Sequence, residues 1–142
     1  MGYHIYHNFE IKSDLSSVYN AIALPEELVK WWPLKCSGLP KEGEVYNFNF
    51  TDDYNWYAKV KSCKRDHHIH YKMTASDADW NPTTFGLDLL EKPKSVLVKF
   101  WHKDWPNDND HYKKSSFCWA LLLNGLKNYV EKGIVIPFEE RS

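Results

Sequence analysis

The chain has 142 residues and a formal net charge of −1, because 18 Lys and Arg residues nearly balance 19 Asp and Glu residues. This balance provides no electrostatic field that would attract nucleic acid or an anionic membrane surface, so we expect no nucleic-acid partner. The odd number of cysteines, without metal-type spacing, and the lack of an apolar leader predict a cytoplasmic protein without membrane insertion.

The first part of the chain predicts one strand followed by two short helices. Side chains alternate between apolar and polar over residues 3–12, which is typical of a half-buried strand. Ser13 or Asp14 then provides the cap of a helix whose apolar residues fall at helical spacing. Pro25 begins a second short helix, and Pro33 prevents its continuation.

A run of six strands follows and gives way to one long helix. The strand pattern recurs in six short segments, at residues 34–37, 45–51, 56–64, 69–73, 85–89 and 96–102. Apolar residues then recur at intervals of three and four over residues 110–132, which predicts a helix that ends at Gly133.

The order of these elements predicts the fold. Consecutive strands joined by short turns pair antiparallel as a meander, and each predicted strand has one apolar face. Only the long helix has the length to cover that face. The sequence therefore predicts one domain over residues 1–142, of the α+β class. In it, a curved antiparallel sheet of six to seven strands, with two short helices after the first strand, wraps around the C-terminal helix.

Several segments resemble the START-like (SRPBCC) superfamily, in particular the branch related to the activator of heat-shock-protein-90 ATPase. The opening motif is matched by Val-Tyr-Asn-Ala-Ile at residues 18–22, Pro-Glu-Glu-Leu at 25–28 and Trp-Trp at 31–32. Residues 43–48 resemble the strand that follows, and residues 119–129 resemble the C-terminal helix, where Cys118 replaces the family's Gly. The resemblance implies the helix-grip fold and a cavity between sheet and helix, used across the superfamily for lipids, polyketides or hormones.

One set of side chains is expected to face the space between sheet and helix. We predict that these residues line a cavity for a hydrophobic small molecule of lipid, polyketide or aromatic type: Phe48, Phe50, Trp56, Tyr71, Phe85, Phe100, His102, Trp119 and Leu122. Aromatic residues make up 16% of the chain. A core filled by the same rings is the alternative, since periodicity does not distinguish a hollow core from a packed one.

Histidines and loop tryptophans are the other candidates. His102 continues the inward phase and is expected near one mouth of the cavity, as a ligand contact or an acid–base group; a structural histidine bonded to backbone is the alternative. His68 and His70 share an outward strand face, but no carboxylate or cysteine lies at ligand spacing, so a solvated face is favoured over a metal site. Trp32 and Trp80 are predicted to frame a mouth or a partner surface.

The sequence predicts neither a cofactor nor a catalytic nucleophile. It contains no nucleophile elbow, phosphate-binding loop or dinucleotide motif, and the carboxylates at 77 and 79 are interpreted as turn formers. Two alternatives to ligand binding stay open. One is a chaperone-associated domain that acts through a protein partner surface. The other is an enzyme like polyketide cyclases or hydrolases, with His102 and Tyr71 as acid–base groups. The sequence also leaves open whether the chain is a monomer or a homodimer.

Overall fold

The computed structural model describes residues 2–141, and within that range it contains seven strands, three α-helices and one 3-10 turn. In chain order these are β1 (Tyr3–Ile11), α1 (Leu15–Ala23), α2 (Pro25–Leu28), β2 (Lys35–Ser37), β3 (Val45–Thr51), β4 (Tyr54–Lys64), β5 (His68–Ala75), β6 (Thr84–Glu91), β7 (Val96–Trp105), α3 (Asp110–Lys132) and the turn Phe138–Glu140. The predicted order of one strand, two short helices, six strands and one long helix is confirmed.

The strands form one antiparallel sheet in the order β1-β7-β6-β5-β4-β3-β2. Strands β2 to β7 are a meander, and β1 closes the far edge by pairing with β7, for example Phe9 opposite Val98. The first and last strands of the chain are therefore neighbours, and this sheet curves around α3. The predicted α+β helix-grip fold is confirmed.

Helix α3 begins and ends where its capping residues dictate. The Asn109 side chain accepts a hydrogen bond of 3.0 Å from the Tyr112 backbone N–H, which satisfies one of the free donors of the first turn. At the other end Gly133 takes a left-handed conformation, with φ of 70°, that glycine adopts without strain. No helix within residues 2–141 combines the length and the apolar content that crossing a bilayer requires.

The space between sheet and helix is occupied mainly by aromatic rings. The Trp119 ring of α3 lies 4.5 Å from the Phe100 ring of β7 and 5.0 Å from the Trp32 ring, centroid to centroid. Trp32 in turn lies 4.7 Å from Phe48 and 5.4 Å from Phe85. These contacts pin α3 to the concave face of the sheet, because close-packed rigid rings permit little sliding.

Candidate functional site

A cleft of about 370 Å³ lies between α3, the β3–β4 hairpin and the loop that joins β5 to β6. Six aromatic side chains form most of its wall: Trp32, Phe50, Tyr54, Trp56, Trp80 and Trp119. Leu122, Ser115 and Cys118 extend the wall along α3, since residues three and four apart share a helix face. Asp77 and His111 provide the polar end of the cleft.

The rings of the wall support one another. Trp80 stacks on Trp119 with centroids 6.0 Å apart and lies 4.8 Å from Trp56, which in turn lies 5.5 Å from Phe50. Trp32, Trp80 and Trp119 are each more than nine-tenths buried, whereas Tyr54 is 54% exposed at the rim. The floor of the cleft is therefore held in place by packing, and its rim is more accessible.

The polar end is built from the β5–β6 loop and the first turn of α3. The His111 Nδ1–H donates to Asp79 Oδ2 at 2.8 Å, and Asn109 Nδ2 donates to the same oxygen at 3.4 Å. The hydrogen bond from His111 is the main cause that lowers the pKa of Asp79, so this carboxylate is ionised at neutral pH. The Asp77 Oδ1 accepts from the Trp80 backbone N–H at 2.8 Å, which fixes the loop beside the Trp80 ring.

The nine predicted ligand-binding residues divide into two layers. Phe50, Trp56, Trp119 and Leu122 line the cleft. The other five lie beneath it and are each at most 1% exposed: Phe48, Tyr71, Phe85, Phe100 and His102. The inward phase of all five places them in the core. The rings of Trp32, Trp80 and Trp119 pack against four of them, and Tyr71 packs against Phe48 and Phe85. Contact of any of the nine with a ligand stays a prediction.

The expectation that His102 lies near a mouth of the cavity is wrong, because its side chain is completely buried. The indole N–H of Trp119 donates to His102 Nδ1 at 3.0 Å, so Nδ1 is the unprotonated nitrogen. His102 Nε2 then donates to the Thr83 hydroxyl at 2.8 Å, and that hydroxyl donates to the Trp80 carbonyl at 2.6 Å. Its partners are side chains, not the backbone groups that the structural alternative supposed.

These contacts make His102 a neutral structural group. Burial, with a smaller contribution from the charge of His111, lowers its pKa to about 3. Tyr71, its proposed partner in acid–base chemistry, is 1% exposed and donates its hydroxyl to the Ile22 carbonyl at 3.3 Å. Burial also raises the pKa of Tyr71 well above its ordinary value. Neither group is placed to exchange protons with a molecule in the cleft.

The outward histidines have partners that spacing along one strand does not reveal. His70 Nε2 donates to Asp88 Oδ1 at 2.8 Å, and the Trp101 indole N–H donates to Asp88 Oδ2 at 2.8 Å. Spacing along the chain did not indicate this carboxylate, because Asp88 comes from the neighbouring strand β6. His68 is hydrogen-bonded to Ser62 at 2.8 Å. Within residues 2–141, no three His, Cys, Asp or Glu side chains are arranged to hold a metal ion.

For some cleft residues the predicted position was only partly correct, and others were not predicted to line the cleft. Trp32 and Trp80 were expected at a mouth, and they form the floor of the cleft. Five lining residues were not predicted as part of it: Tyr54, Asp77, His111, Ser115 and Cys118. Helical spacing could have indicated three of these residues, His111, Ser115 and Cys118. Five residues of α3 line the cleft: Trp119 and, at spacings of four, three and four, His111, Ser115, Cys118 and Leu122.

Residues 12–131 match the family model described as Activator of Hsp90 ATPase homolog 1-like protein. No curated protein sequence matches this chain. Among solved structures, the Aha1 dimer from Colwellia psychrerythraea is 24% identical, with a TM-score of 0.84 over 92% of this chain and 98% of that one. Protein SSP2350 from Staphylococcus saprophyticus is 18% identical, with a TM-score of 0.80 over 94% and 96% of the two chains.

CalU16 from Micromonospora echinospora is 13% identical, with a TM-score of 0.74 over 92% of this chain and 77% of that one. Because all three structures are under 25% identical, their likeness establishes the fold and no activity. The family model covers most of the chain, from the end of β1 to the last turn of α3. The chain therefore belongs to the family of Activator of Hsp90 ATPase homolog 1-like proteins.

Proposed function

We propose that this protein is a cytoplasmic binder of a hydrophobic small molecule, held in the cleft between the sheet and α3. The observation that carries the proposal is the ring-lined wall of a cleft of about 370 Å³. Small-molecule sites are typically concave spaces of about 300–1,000 Å³ with mostly apolar walls and a few polar groups at fixed positions. The titratable polar groups of the wall are Asp77 and His111, and the Ser115 hydroxyl lies one helical turn after His111.

The rings that form the floor of the cleft are held in place by their contacts with one another and with the core. Trp80 and Trp119 stack on each other, and the Trp119 indole is also held by its hydrogen bond to His102. An apolar ligand that covers these rings would gain about 2.5 kcal/mol for every ~100 Å² of apolar surface removed from water. This free energy comes from the burial of apolar surface alone and needs no reactive group. The cleft therefore favours a binding role.

The alternative of a cyclase- or hydrolase-like enzyme is disfavoured, because His102 and Tyr71, its two proposed acid–base groups, are buried beneath the cleft. A protein partner surface stays a prediction, and the choice between a monomer and a homodimer stays open. The Colwellia psychrerythraea relative was solved as a dimer. Light scattering on the purified protein would decide between monomer and dimer for this chain.

The test fills the cleft without disturbing the core. Cys118 lies half-buried in the wall of the cleft, whereas its neighbour Phe117 is 65% exposed on the outer side of α3. We expect Cys118→Trp to weaken binding about tenfold or more, since the added ring occupies ligand space, and Phe117→Trp to leave binding unchanged. Circular dichroism would confirm that both variants keep the wild-type helix and sheet content.

Binding would be measured by native mass spectrometry and isothermal titration calorimetry against fatty acids, sterols, flavonoids, and small aromatic amines and alcohols. Uptake by the wild type and by Phe117→Trp, with loss in Cys118→Trp, supports the proposal. A wild-type protein that binds no member of the panel would refute it. Binding that survives in a correctly folded Cys118→Trp variant would also refute it, because the ligand would then lie elsewhere.

A further inference from the structure

The polar end of the cleft presents two hydrogen-bond acceptors side by side. Asp79 accepts a hydrogen bond from His111 Nδ1, so in the neutral form of the ring the free lone pair lies on Nε2. His111 Nε2 lies 3.9 Å from Asp77 Oδ2, which is too far for a direct hydrogen bond. Within residues 2–141, no group donates a hydrogen bond to either of these two atoms.

The spacing of these acceptors suits one donor group placed between them. A nitrogen that donates two hydrogen bonds of about 2.9 Å can reach two acceptors that are 3.9 Å apart, because a protonated amino group carries several N–H bonds in different directions. The Asp77 side chain is fixed in position, because its other oxygen accepts a hydrogen bond from the Trp80 backbone N–H. His111 is held by Asp79 and by the Trp105 ring, whose centroid lies 5.5 Å from that of His111 in an edge arrangement.

The charge around this end also favours a cation. Asp77 is the acidic residue among those that line the cleft, Asp79 accepts a hydrogen bond from His111, and no Lys or Arg within residues 2–141 lines this cleft. Trp56 and Trp80, whose ring centroids lie 4.8 Å apart, belong to the wall, and the faces of aromatic rings attract cations. Arg141 lies in an adjoining depression at the other end, beyond Trp32 and Phe50 and together with Glu139.

We infer that the ligand is an organic amine, whose protonated amino group lies between Asp77 and His111 and whose apolar body lies on the rings of the cleft. This inference rests on the proposed function and narrows it from hydrophobic molecules in general to those with an amino head. A carboxylate head is disfavoured at the same position, because it would face Asp77 at close range without a lysine or arginine to balance it.

The test compares three ligands of one shape that differ only in the head group: 4-phenylbutylamine, 4-phenylbutanol and 4-phenylbutyrate. Titration calorimetry at neutral pH should show the amine binding about tenfold more tightly than the alcohol, with the acid weakest. Asp77→Asn should abolish this preference and leave the affinity for the alcohol unchanged. The variant keeps an oxygen that accepts from the Trp80 N–H, so the loop should keep its shape.

The matched control is Glu91→Gln, which removes an exposed carboxylate at the far end of β6 and should change none of the three affinities. Equal affinities for the amine and the alcohol, or tightest binding of the acid, would overturn the amine assignment and leave the proposed binder intact. An amine preference that persists in Asp77→Asn would also overturn it. If the protein also binds none of the other compounds of the wider panel, neutral compounds included, the proposed function itself is refuted.

Discussion

Replacing His102 with Gln should remove most of the pH dependence of stability that this buried ring creates. In the folded protein His102 is neutral, since burial lowers its pKa from its ordinary 6.5 to about 3. As the pH falls below about 6.5, the unfolded chain binds a proton at this residue and the folded chain does not. The contribution of His102 is therefore fully present above about pH 6.5 and is lost progressively as the pH falls towards 3.

The size of the effect follows from the two pKa values. Each pH unit between them changes the free energy of unfolding by about 1.4 kcal/mol, so His102 should cost the wild type about 2 kcal/mol between pH 7 and pH 5. Gln does not titrate, but its amide oxygen can accept from the Trp119 N–H and its amide nitrogen can donate to the Thr83 hydroxyl. We therefore expect the variant to fold and to lack this part of the slope.

The assay is urea unfolding of the wild type and of His102→Gln at pH 7, 6 and 5, followed by tryptophan fluorescence. Other groups with shifted pKa, such as the half-buried His68, contribute equally to both proteins and cancel in the difference. The wild type should lose about 2 kcal/mol more than the variant over this range. Equal losses in the two proteins would show that His102 is not a buried neutral group, and the reasoning about its tautomer would fail.

Two further predictions concern glycine positions and the C-terminal segment. Gly86→Ala should destabilise the protein by about 1–3 kcal/mol, because the new Cβ would lie 2.6 Å from two ring carbons on the outer face of the sheet. Gly125→Ala is the control: its Cβ meets nothing within 4 Å, so α3 should gain about 0.5–1 kcal/mol in urea unfolding, and a loss there would contradict this account. Arg141→Met removes a 2.8 Å hydrogen bond to the Val29 carbonyl and should speed amide exchange over residues 134–141; unchanged exchange there would contradict the assigned role.

The fold was accessible from sequence because its signals are local. Alternation along each strand, the three-and-four spacing of α3 and the stop at Gly133 all act within a few residues of one another. By contrast, the pairing of β1 with β7 joins segments that lie more than eighty residues apart. No pattern within either strand indicates which strand it pairs with. The contact of His70 with Asp88 was missed for the same reason, since it crosses between neighbouring strands.

The cleft was harder to predict than the fold, because inward direction does not decide which inward residue meets solvent. Phe85 and His102 face inward as expected, but the ring of Trp80 comes from a loop and lies over both of them. A loop residue has no phase from which its direction can be read. Periodicity indicated the cleft wall at Phe50 and Trp56 of the sheet and along the stripe on α3 from His111 to Leu122.

The most direct test of the proposed site is the response of the seven tryptophan indole N–H signals to the tightest compound of the panel, in isotope-labelled protein. These signals divide into those of the cleft, from Trp32, Trp56, Trp80 and Trp119, and others outside its wall, of which Trp101 on the outer face of the sheet is the reference. We predict that the cleft signals shift in proportion to occupancy while the Trp101 signal stays in place. Shifts centred on Trp101, or bound ligand with no change in the four cleft signals, would contradict a ligand site between the sheet and α3.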